Sequence, residues 1–380
     1  MTRSDVAIRG LLAFPMHGYF KMLTEGYRTR DAHLLEWFAR LIPDDERVAV
    51  VSRPEPFPRM TARLRSRRTE EPLPRTIDFS REVLAIPNLR DRRRWWIEAL
   101  PYYRVPDSFQ GSTVVWNPTI ALSDPLVHAL ERSHHVHVDL LDDWSLHTAF
   151  ESMWPDIERA YGRLFSIART VSANSEGTLR LARRFGRDDV ALLPNGADPE
   201  RFSTRSHASG PPTVGYIGKI GSRLDADLIV KTARALPDVQ FWFAGPLLEK
   251  AFGRALRGLP NVRLLGDVPY RRIPDLLTRF DIGWVPHGVE TGQVGGDAIK
   301  IYEYRSAGLP VLTTPIIGTR ERPMPGVIVR DADEHAVSLA ALIGDSARVP
   351  RLTHPLDPDL TWQRKARTIL RMMGVPGGPA

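Results

Sequence analysis

Two carboxylates stand directly after an apolar stretch of the chain. Asp142 and Asp143 follow residues 136–141, whose branched apolar side chains predict a β-strand. A carboxylate at the tip of a strand can take the proton of an acceptor hydroxyl as a general base. The same side chains also suit the N-cap of a following helix, so both interpretations stay open. Three histidines lie within residues 134–137, but their alternation does not place three ligands on one strand face, and we expect no metal site.

A glycine pattern, Gly215-x-x-Gly218-x-x-Gly221, follows one predicted strand and precedes a predicted helix. Glycines let the backbone approach a phosphate, and the N-terminus of the helix favours the negative charge. Lys219 and Arg223 add positive charge at the same turn. Taken alone, the pattern also fits a dinucleotide-binding dehydrogenase or a purely structural turn. A dehydrogenase normally has an acidic residue at the end of the next strand, and the next predicted strand here ends without one.

A third group of residues shares one face of a predicted helix. Lys300, Glu303 and Tyr304 lie three and four positions apart, which brings their side chains together on a helix. Lys300 can neutralise a phosphate, and the carboxylate of Glu303 can accept two hydrogen bonds from a ribose diol. An exposed ion pair between Lys300 and Glu303 is the structural alternative.

The segments that hold these residues alternate between strand and helix. In the C-terminal half, strands are predicted at 213–218, 239–244, 262–266, 282–285 and 311–314, with helices at 225–236, 248–256, 273–279 and 298–307. In the N-terminal half, the less regular pattern predicts strands at 8–14, 47–52, 83–86, 113–116, 136–141, 170–173 and 190–193, and helices at 31–41, 157–168 and 175–185. Such alternation is typical of parallel sheets covered by helices on both faces. We therefore predict two doubly wound α/β domains that face each other across a cleft.

A stretch rich in Ser, Gly and Pro, residues 203–212, marks a linker between the two halves. We predict an N-terminal domain over residues 1–205 and a C-terminal domain over residues 206–355. The last segment, residues 356–380, holds a predicted helix that we expect to cross back to the N-terminal domain.

The composition is that of an ordinary globular protein, with 42% hydrophobic and 26% charged residues in a chain of 380. The absence of cysteine excludes disulfides, cysteine-ligated zinc and a thiol nucleophile. No apolar run approaches the ~20 residues of a membrane-spanning helix. Because the first residues do not have the pattern of a signal peptide, we expect a cytoplasmic protein.

The formal net charge is +7, and 46 of the 52 cationic residues are arginine. Arginines concentrate within residues 59–68 and within residues 92–94, the latter directly before Trp95 and Trp96. A solvated basic face is the simplest interpretation. Tryptophan beside arginine also suits an anionic surface, so peripheral contact with the inner face of a membrane is the second interpretation. No module that reads a nucleic-acid duplex is recognisable, and we expect no nucleic-acid partner.

Two segments resemble the GT-B glycosyltransferases, close to family 4. These are residues 171–176 (Val-Ser-Ala-Asn-Ser-Glu) and residues 192–202, which contain Pro-Asn-Gly followed by Asp198 and Phe202. Further similar segments are residues 215–218, 243–246, 259–262, 265–270 and 300–311. Together with residues 139–144, the pattern is most similar to bacterial sugar transferases of the teichuronic-acid type and, more distantly, to the xanthan glucuronosyltransferase. The resemblance extends over roughly residues 136–314.

The resemblance implies a GT-B fold whose C-terminal domain binds a nucleotide-diphosphate sugar as co-substrate, without a cofactor or a metal. The donor-binding residues that it implies are Gly218, Lys219, Val268, Lys300 and Glu303, and the sequence patterns described above add Arg223 and Tyr304. Gly218 and Lys219 would meet the diphosphate and Val268 would lie beside the base. Lys300 would contact a phosphate and Glu303 the ribose.

The resemblance also implies that Asp142 or Asp143 is the catalytic base and that the N-terminal domain binds the acceptor. For the acceptor we expect His17, Gly18, Arg30 and His33, which fall in the first loop and helix. The acceptor would be a hydroxyl of a glycan or lipid-linked intermediate in polysaccharide biosynthesis, or of a secondary metabolite. One position departs from the family, which often has a glutamate eight residues before the ribose glutamate. That position is Gly295 here, with Glu290 nearby but out of register. A catalytically degenerate GT-B partner protein and a nucleotide-sugar epimerase are the alternatives.

Overall fold

The computed structural model describes residues 8–56, 70–289, 295–345 and 348–376, and the chain divides into two compact units. The N-terminal unit comprises Met1–Pro194, Val294–Gly296 and Trp362–Ala380, and the C-terminal unit comprises Asn195–Gln293 and Asp297–Thr361. The arginine-rich segment 59–68 lies outside the described residues. Within them, no helix is both long enough and apolar enough to span a membrane.

A parallel sheet forms the centre of the N-terminal unit. The strands described in this unit are β1 (Ile8–Phe14), β2 (Arg47–Val50), β3 (Glu55–Pro56), β4 (Thr76–Asp78), β5 (Glu82–Val83), β6 (Phe109–Val115), β7 (His135–Leu140), β8 (Thr170–Ala173) and β9 (Val190–Leu192). The main sheet has the order β4-β2-β1-β6-β7-β8-β9, and β3 pairs with β5 in a small separate sheet. Because the order reverses between β1 and β6, the crevice beyond their carboxyl ends is the expected ligand position of a doubly wound sheet.

Helices cover this sheet and bury its apolar side chains. They are α1 (Tyr19–Glu25), α2 (Arg30–Leu41), α3 (Trp95–Glu98), α4 (Asp124–Glu131), α5 (Trp154–Ile167) and α6 (Glu176–Arg184). The start of α6 is fixed by a capping box, in which Ser175 accepts from the backbone of Thr178 while the Thr178 side chain accepts from the backbone of Ser175. The predicted strand at 83–86 was wrong beyond Val83, because the chain leaves the small sheet there and the next apolar side chains are exposed.

The C-terminal unit has the strand order of a dinucleotide-binding fold. Its described strands are β10 (Thr213–Ile217), β11 (Gln240–Ala244), β12 (Val262–Gly266), β13 (Ile282–Val285), β14 (Val311–Thr313) and β15 (Val327–Val329), with helices α7 (Ala226–Ala235), α8 (Lys250–Arg257), α9 (Ile273–Leu277), α10 (Ile299–Ser306) and α11 (His335–Ile343). The parallel order β12-β11-β10-β13-β14-β15 reverses between β10 and β13. Segments that follow these two strands therefore meet at the ligand edge of the sheet.

The final helix, α12 (Trp362–Met372), belongs to the N-terminal unit and packs against α2. The ring of Trp362 stacks on that of His33 with 4.8 Å between the ring centres, and both side chains are fully buried. Apolar residues at helical spacing, such as Ala366 and Ile369, complete the buried face of α12.

Candidate nucleotide-sugar site

The glycine after β10 brings the backbone against Lys300. Gly218 has a φ of +133°, which side-chain-bearing residues rarely adopt. A Cβ atom at this position would lie 3.1 Å from Cε and 3.3 Å from Nζ of Lys300. Glycine is therefore required both by the backbone conformation and by the approach of the lysine. The two sequence patterns predicted to bind phosphate thus meet at one place.

Lys300 lies in a crowded, positively charged environment. Its Nζ is 3.4 Å from Nε2 of His287 and 4.9 Å from the ring centre of Tyr216. Burial first, and then the charge of Arg223 with a smaller effect of Lys219, lower the pKa of Lys300 to about 7, although Glu303 acts in the opposite direction. We call Lys219, Arg223 and Lys300 the cationic cluster.

His287 follows β13, so it reaches the cationic cluster from the other side of the switch point. Burial first, and then the charges of Lys300 and Arg223, hold the pKa of His287 well below its usual range. The imidazole is therefore neutral at pH 7 and adds no cation. A multiply charged anion would relieve the repulsion among the cations, because an opposite charge nearby favours the protonated lysine. The place of His287 beside the cationic cluster could not be predicted from the sequence, since a single histidine after a strand carries no motif.

Glu303 lies one turn beyond Lys300 on α10 and is buried. Tyr270 donates a hydrogen bond of 2.8 Å from its hydroxyl to Oε1 of Glu303. Burial raises the pKa of Glu303 to about 7, against the opposing effects of this hydrogen bond and of Lys300. The free lone pairs of such a buried carboxyl group can accept hydrogen bonds from neighbouring hydroxyls. The positioning role of Tyr270 was not foreseen from the sequence.

The start of α10 is held by a set of contacts around Asp297. Its Oδ2 accepts hydrogen bonds from the backbone N–H of Asn195, at 2.8 Å, and from the hydroxyl of Tyr302, at 2.7 Å. Arg322 pairs with its Oδ1 at 3.4 Å. The side chain of Asn195 returns a hydrogen bond to the carbonyl of Asp297. The Pro-Asn-Gly segment therefore fixes the helix that carries Lys300 and Glu303.

Two further predicted donor-binding residues pack within the apolar parts of the C-terminal unit. Tyr304 is fully buried, its ring packs on Gly283, and its hydroxyl accepts a 2.8 Å hydrogen bond from the backbone N–H of Ile217. It does not present its side chain to a ligand, and the prediction is corrected: Tyr304 holds the end of β10, where the glycine loop begins. Val268 is half-buried and packs on an apolar cluster of the C-terminal unit.

The two carboxylates after β7 differ in their surroundings. Asp143 is buried: its Oδ1 accepts from the backbone N–H of Ser145 at 2.9 Å and from the Ser145 hydroxyl, and its Oδ2 pairs with Arg184 at 2.9 Å. Asp142 is half-buried and lies against Gly296, where a Cβ atom would overlap its Oδ1. Asp143 therefore fixes the turn after β7, and Asp142 is the better candidate for a chemical role.

The backbone at Gly295, where the family often has a glutamate, packs tightly within the N-terminal unit. Gly295 has a φ of +80°, and its carbonyl accepts a hydrogen bond from the Ser175 hydroxyl. A Cβ atom on Gly177 would lie 2.6 Å from the same carbonyl oxygen. A side chain at position 295 would have an unfavourable φ, and its Cβ atom would lie 3.3 Å from Cβ of Asp143, which explains why glycine stands here. Glu290 lies outside the described residues.

A buried polar network accounts for the charges inside the N-terminal unit. Asp139 on β7 accepts from Nε and from one terminal nitrogen of Arg30, both at 2.8 Å, and from the indole of Trp116 at 2.6 Å. Ser172 donates to Asp139 at 2.5 Å and contacts Nε2 of His137 at 2.9 Å. Burial lowers the pKa of His137 to about 4, which keeps the imidazole neutral at pH 7. These groups satisfy one another, as buried polar groups must.

The prediction that Arg30 and His33 bind the acceptor is corrected, because both side chains are buried inside the N-terminal unit. Arg30 is 2% exposed, and its guanidinium pairs with Asp139 on the inner side of α2. His33 is buried in its stack with Trp362. His17 and Gly18 instead follow β1 at the switch point of the sheet. His17 is half-buried and its Nδ1 lies 3.1 Å from Oδ1 of Asp31. Position in the first loop and helix alone did not reveal which side chains point inward.

Comparisons with known proteins give a family match, a related sequence and structures of similar fold. Residues 211–345 match the family described as glycosyl transferases group 1. TuaH of Bacillus subtilis (strain 168), provisionally named as a teichuronic acid biosynthesis glycosyltransferase, is 28% identical over 167 residues. The match covers 41% of this chain and 42% of TuaH, so the chain spans less than half the length of this relative.

Two solved structures resemble nearly the whole chain. HepE of Anabaena, in complex with UDP and glucose, has a TM-score of 0.62 at 14% identity over 96% of this chain and 95% of its own. Sucrose-phosphate synthase from Thermosynechococcus elongatus has a TM-score of 0.64 at 15% identity over 96% and 94%. These likenesses show the fold, a two-domain α/β architecture of the GT-B class. The chain therefore has the GT-B fold, and its residues 211–345 match the glycosyl transferases group 1 family.

Proposed function

We propose that the chain is a glycosyltransferase that moves a sugar from a nucleotide-diphosphate donor to a hydroxyl acceptor. The observation that carries the proposal is the cationic cluster at the carboxyl end of β10, where the pKa of Lys300 falls to about 7. A diphosphate supplies the negative charge that such a cluster favours. The match to glycosyl transferases group 1 covers the same residues.

In the proposed donor site, each part of the nucleotide has a chemically matched partner. The turn at Gly218 and Lys219 receives the diphosphate together with Lys300, and Arg223 adds the third side-chain cation. Glu303, oriented by Tyr270, accepts hydrogen bonds from the ribose. Val268, which packs on an apolar cluster of the C-terminal unit, is the proposed neighbour of the base. Cations that hold the departing diphosphate stabilise the charge that develops as the sugar–phosphate bond breaks. The side chains do this without a cofactor or a divalent metal.

We propose Asp142 as the catalytic base. The carboxylate of Asp142 takes the proton of the acceptor hydroxyl. The oxygen of that hydroxyl then bonds to the anomeric carbon of the sugar as the bond to the nucleoside diphosphate breaks. Asp143 is the weaker candidate, because its two oxygens hold Ser145 and Arg184. The assignment is supported by the place of Asp142 directly after a strand of a doubly wound sheet.

The acceptor is proposed to bind the N-terminal unit beside His17 and Gly18, at the switch point of its sheet. The name of TuaH refers to teichuronic acid biosynthesis, which favours a hydroxyl of a growing or lipid-linked glycan as the acceptor. Such an acceptor would call for a cytoplasmic protein in peripheral contact with a membrane. Because HepE was solved with UDP, UDP is the first nucleotide to test.

The proposal is tested by calorimetric titration of the full chain with UDP, GDP, dTDP, ADP and NAD⁺, each in EDTA and again with Mg²⁺. We expect one nucleoside diphosphate to bind in EDTA, and its identity to give the donor class. Binding of NAD⁺ alone would contradict the proposal and favour a redox enzyme. Binding of a nucleotide sugar that is then epimerised without any acceptor would favour the epimerase. A chain that binds none of these ligands would favour the degenerate partner protein.

A further inference from the structure

Three large aliphatic side chains are exposed close together in the N-terminal unit. Leu84, Ile86 and Leu89 lie between β5 and α3 and are 90%, 81% and 71% exposed. Single exposed apolar residues are common on protein surfaces, but a group of large ones within residues 84–89 marks an interaction site. We call residues 84–94 the apolar loop.

Both ends of the apolar loop are anchored in the unit. Val83 pairs within the small sheet of β3 and β5 and forms a buried cluster with Trp95 and Ala99. The indole of Trp95 donates a 2.8 Å hydrogen bond to the carbonyl of Pro54. The exposure of the aliphatic side chains is therefore a feature of a loop with fixed ends.

The two tryptophans do not form the exposed surface that their sequence suggested. Trp95 is buried, and the half-buried Trp96 meets Trp144 edge-on with 4.8 Å between the ring centres. The guanidinium of Arg53 lies 3.8 Å from the centre of the Trp96 ring. The apolar contact surface is thus supplied by the aliphatic residues, while the tryptophans secure the base of the loop.

Hydrogen bonds engage the acidic side chain of the loop, that of Asp91. Oδ1 of Asn88 accepts from the backbone N–H groups of Arg90, at 3.0 Å, and of Asp91, at 3.2 Å. Asp91 in turn accepts from the backbone N–H of Arg93, at 3.1 Å, and from the hydroxyl of Ser152. The carboxylate is therefore occupied in holding the turn, whereas the side chains of Arg90, Arg92 and Arg93 are exposed.

We infer that the apolar loop inserts Leu84, Ile86 and Leu89 into the surface of an anionic lipid bilayer, while Arg90 and Arg92 contact the lipid phosphates. Exposed aliphatic groups beside exposed arginines match a bilayer interface, which places acyl chains beneath a negatively charged layer. The inference rests on the proposed function and deepens it, because a lipid-linked acceptor is the reason for the chain to meet a membrane. The apolar part of that contact is assigned to Leu84, Ile86 and Leu89, which no sequence pattern singled out.

The test is flotation of the full chain with vesicles of phosphatidylglycerol and phosphatidylcholine, compared with vesicles of phosphatidylcholine alone. We expect binding to the anionic vesicles, and we expect Leu84→Ser, Ile86→Ser and Leu89→Ser combined to weaken it by about tenfold or more. The single variant Ile86→Ser is compared with Val337→Ser. The side chain of Val337, on α11, is 74% exposed, similar to the 81% of Ile86. Val337→Ser should leave vesicle binding unchanged.

The charge requirement is tested separately with Arg92→Gln, which should weaken binding to anionic vesicles and make it less sensitive to salt. The inference is overturned if the chain does not bind anionic vesicles, or if the triple variant binds them as the parent does. Capture of a protein partner through the loop, with no vesicle binding, would also overturn it. Because none of the variants changes a residue of the cationic cluster, their UDP titrations report separately on the proposed function.

Discussion

In the N-terminal unit the charges beneath the sheet are paired with one another, whereas in the C-terminal unit cations stand together at the edge of the sheet. Asp139 is held by Arg30 through two hydrogen bonds of 2.8 Å, and Asp143 pairs with Arg184 at 2.9 Å. Lys300 instead has Arg223 as its strongest charged neighbour, and its pKa falls. Paired buried charges indicate a structural role, while crowded like charges indicate a site for an opposite ligand.

The comparison also separates two adjacent residues, Asp142 and Asp143. We expect Asp142→Asn to lower the rate of sugar transfer by about 10²–10⁴-fold, the usual contribution of a general base, with little change in donor affinity. Asp143→Asn should instead lower the melting temperature, because the turn at Ser145 and the pair with Arg184 are weakened. The two variants are compared by nucleoside diphosphate release and by thermal unfolding. Equal rates in Asp142→Asn and the parent would show that the base assignment is wrong.

Breaking a paired charge should be costly for folding. Arg30→Met leaves Asp139 buried without its cation, and we expect the free energy of unfolding to fall by about 3–5 kcal/mol. Urea unfolding at pH 7 measures the loss. The double variant Arg30→Met with Asp139→Leu removes both charges and should recover part of it. If the single variant is as stable as the parent, the pair is not structural and Arg30 returns as an acceptor-binding candidate.

Removing the charge of Lys300 should weaken ligand binding and leave the stability of the fold intact. Lys300→Met should weaken binding of UDP, or of the diphosphate found to bind, by about 1–3 kcal/mol. Folding lowers the pKa of Lys300 from 10.5 to about 7, so its charge opposes folding below pH 7 and that penalty is relieved as the pH rises toward 10.5. The variant should therefore be at least as stable as the parent at pH 6. The exposed Lys231 gives the matched control Lys231→Met, which should change neither property.

The smallest expected effect concerns the orientation of Glu303. Tyr270→Phe removes one hydrogen bond to a carboxyl oxygen without changing the shape of the side chain. We expect nucleotide affinity to fall by about 0.5–1.5 kcal/mol, less than for Lys300→Met. A titration with UDP beside one with pyrophosphate localises the effect, since pyrophosphate has no ribose and should bind both proteins alike. An equal loss for both ligands would place Tyr270 at the phosphates instead.

Local patterns predicted most of the strands, because strand ends and helix periodicity are encoded over short stretches, whereas a shared phosphate for Gly218 and Lys300 was implied by the family resemblance. They assigned Tyr304 wrongly, since Ile301 to Ser306 are buried on every side of α10 and spacing then says nothing about which face meets a ligand. The pairing of Arg30 with Asp139 joins residues 109 positions apart and has no local signal. The strand β15 was missed because its side chains are only half-buried and its apolar pattern is short.

The central claim is that the cationic cluster binds a diphosphate, and proton uptake on binding tests it most directly. At pH 8 Lys300 is largely neutral, since its pKa is about 7, and an adjacent diphosphate would restore its proton. Calorimetric titration with UDP in two buffers of different ionisation enthalpy gives the number of protons taken up. We predict close to one proton per UDP for the parent chain and nearly none for Lys300→Met. UDP binding without proton uptake, or with the same uptake in both proteins, would contradict the account.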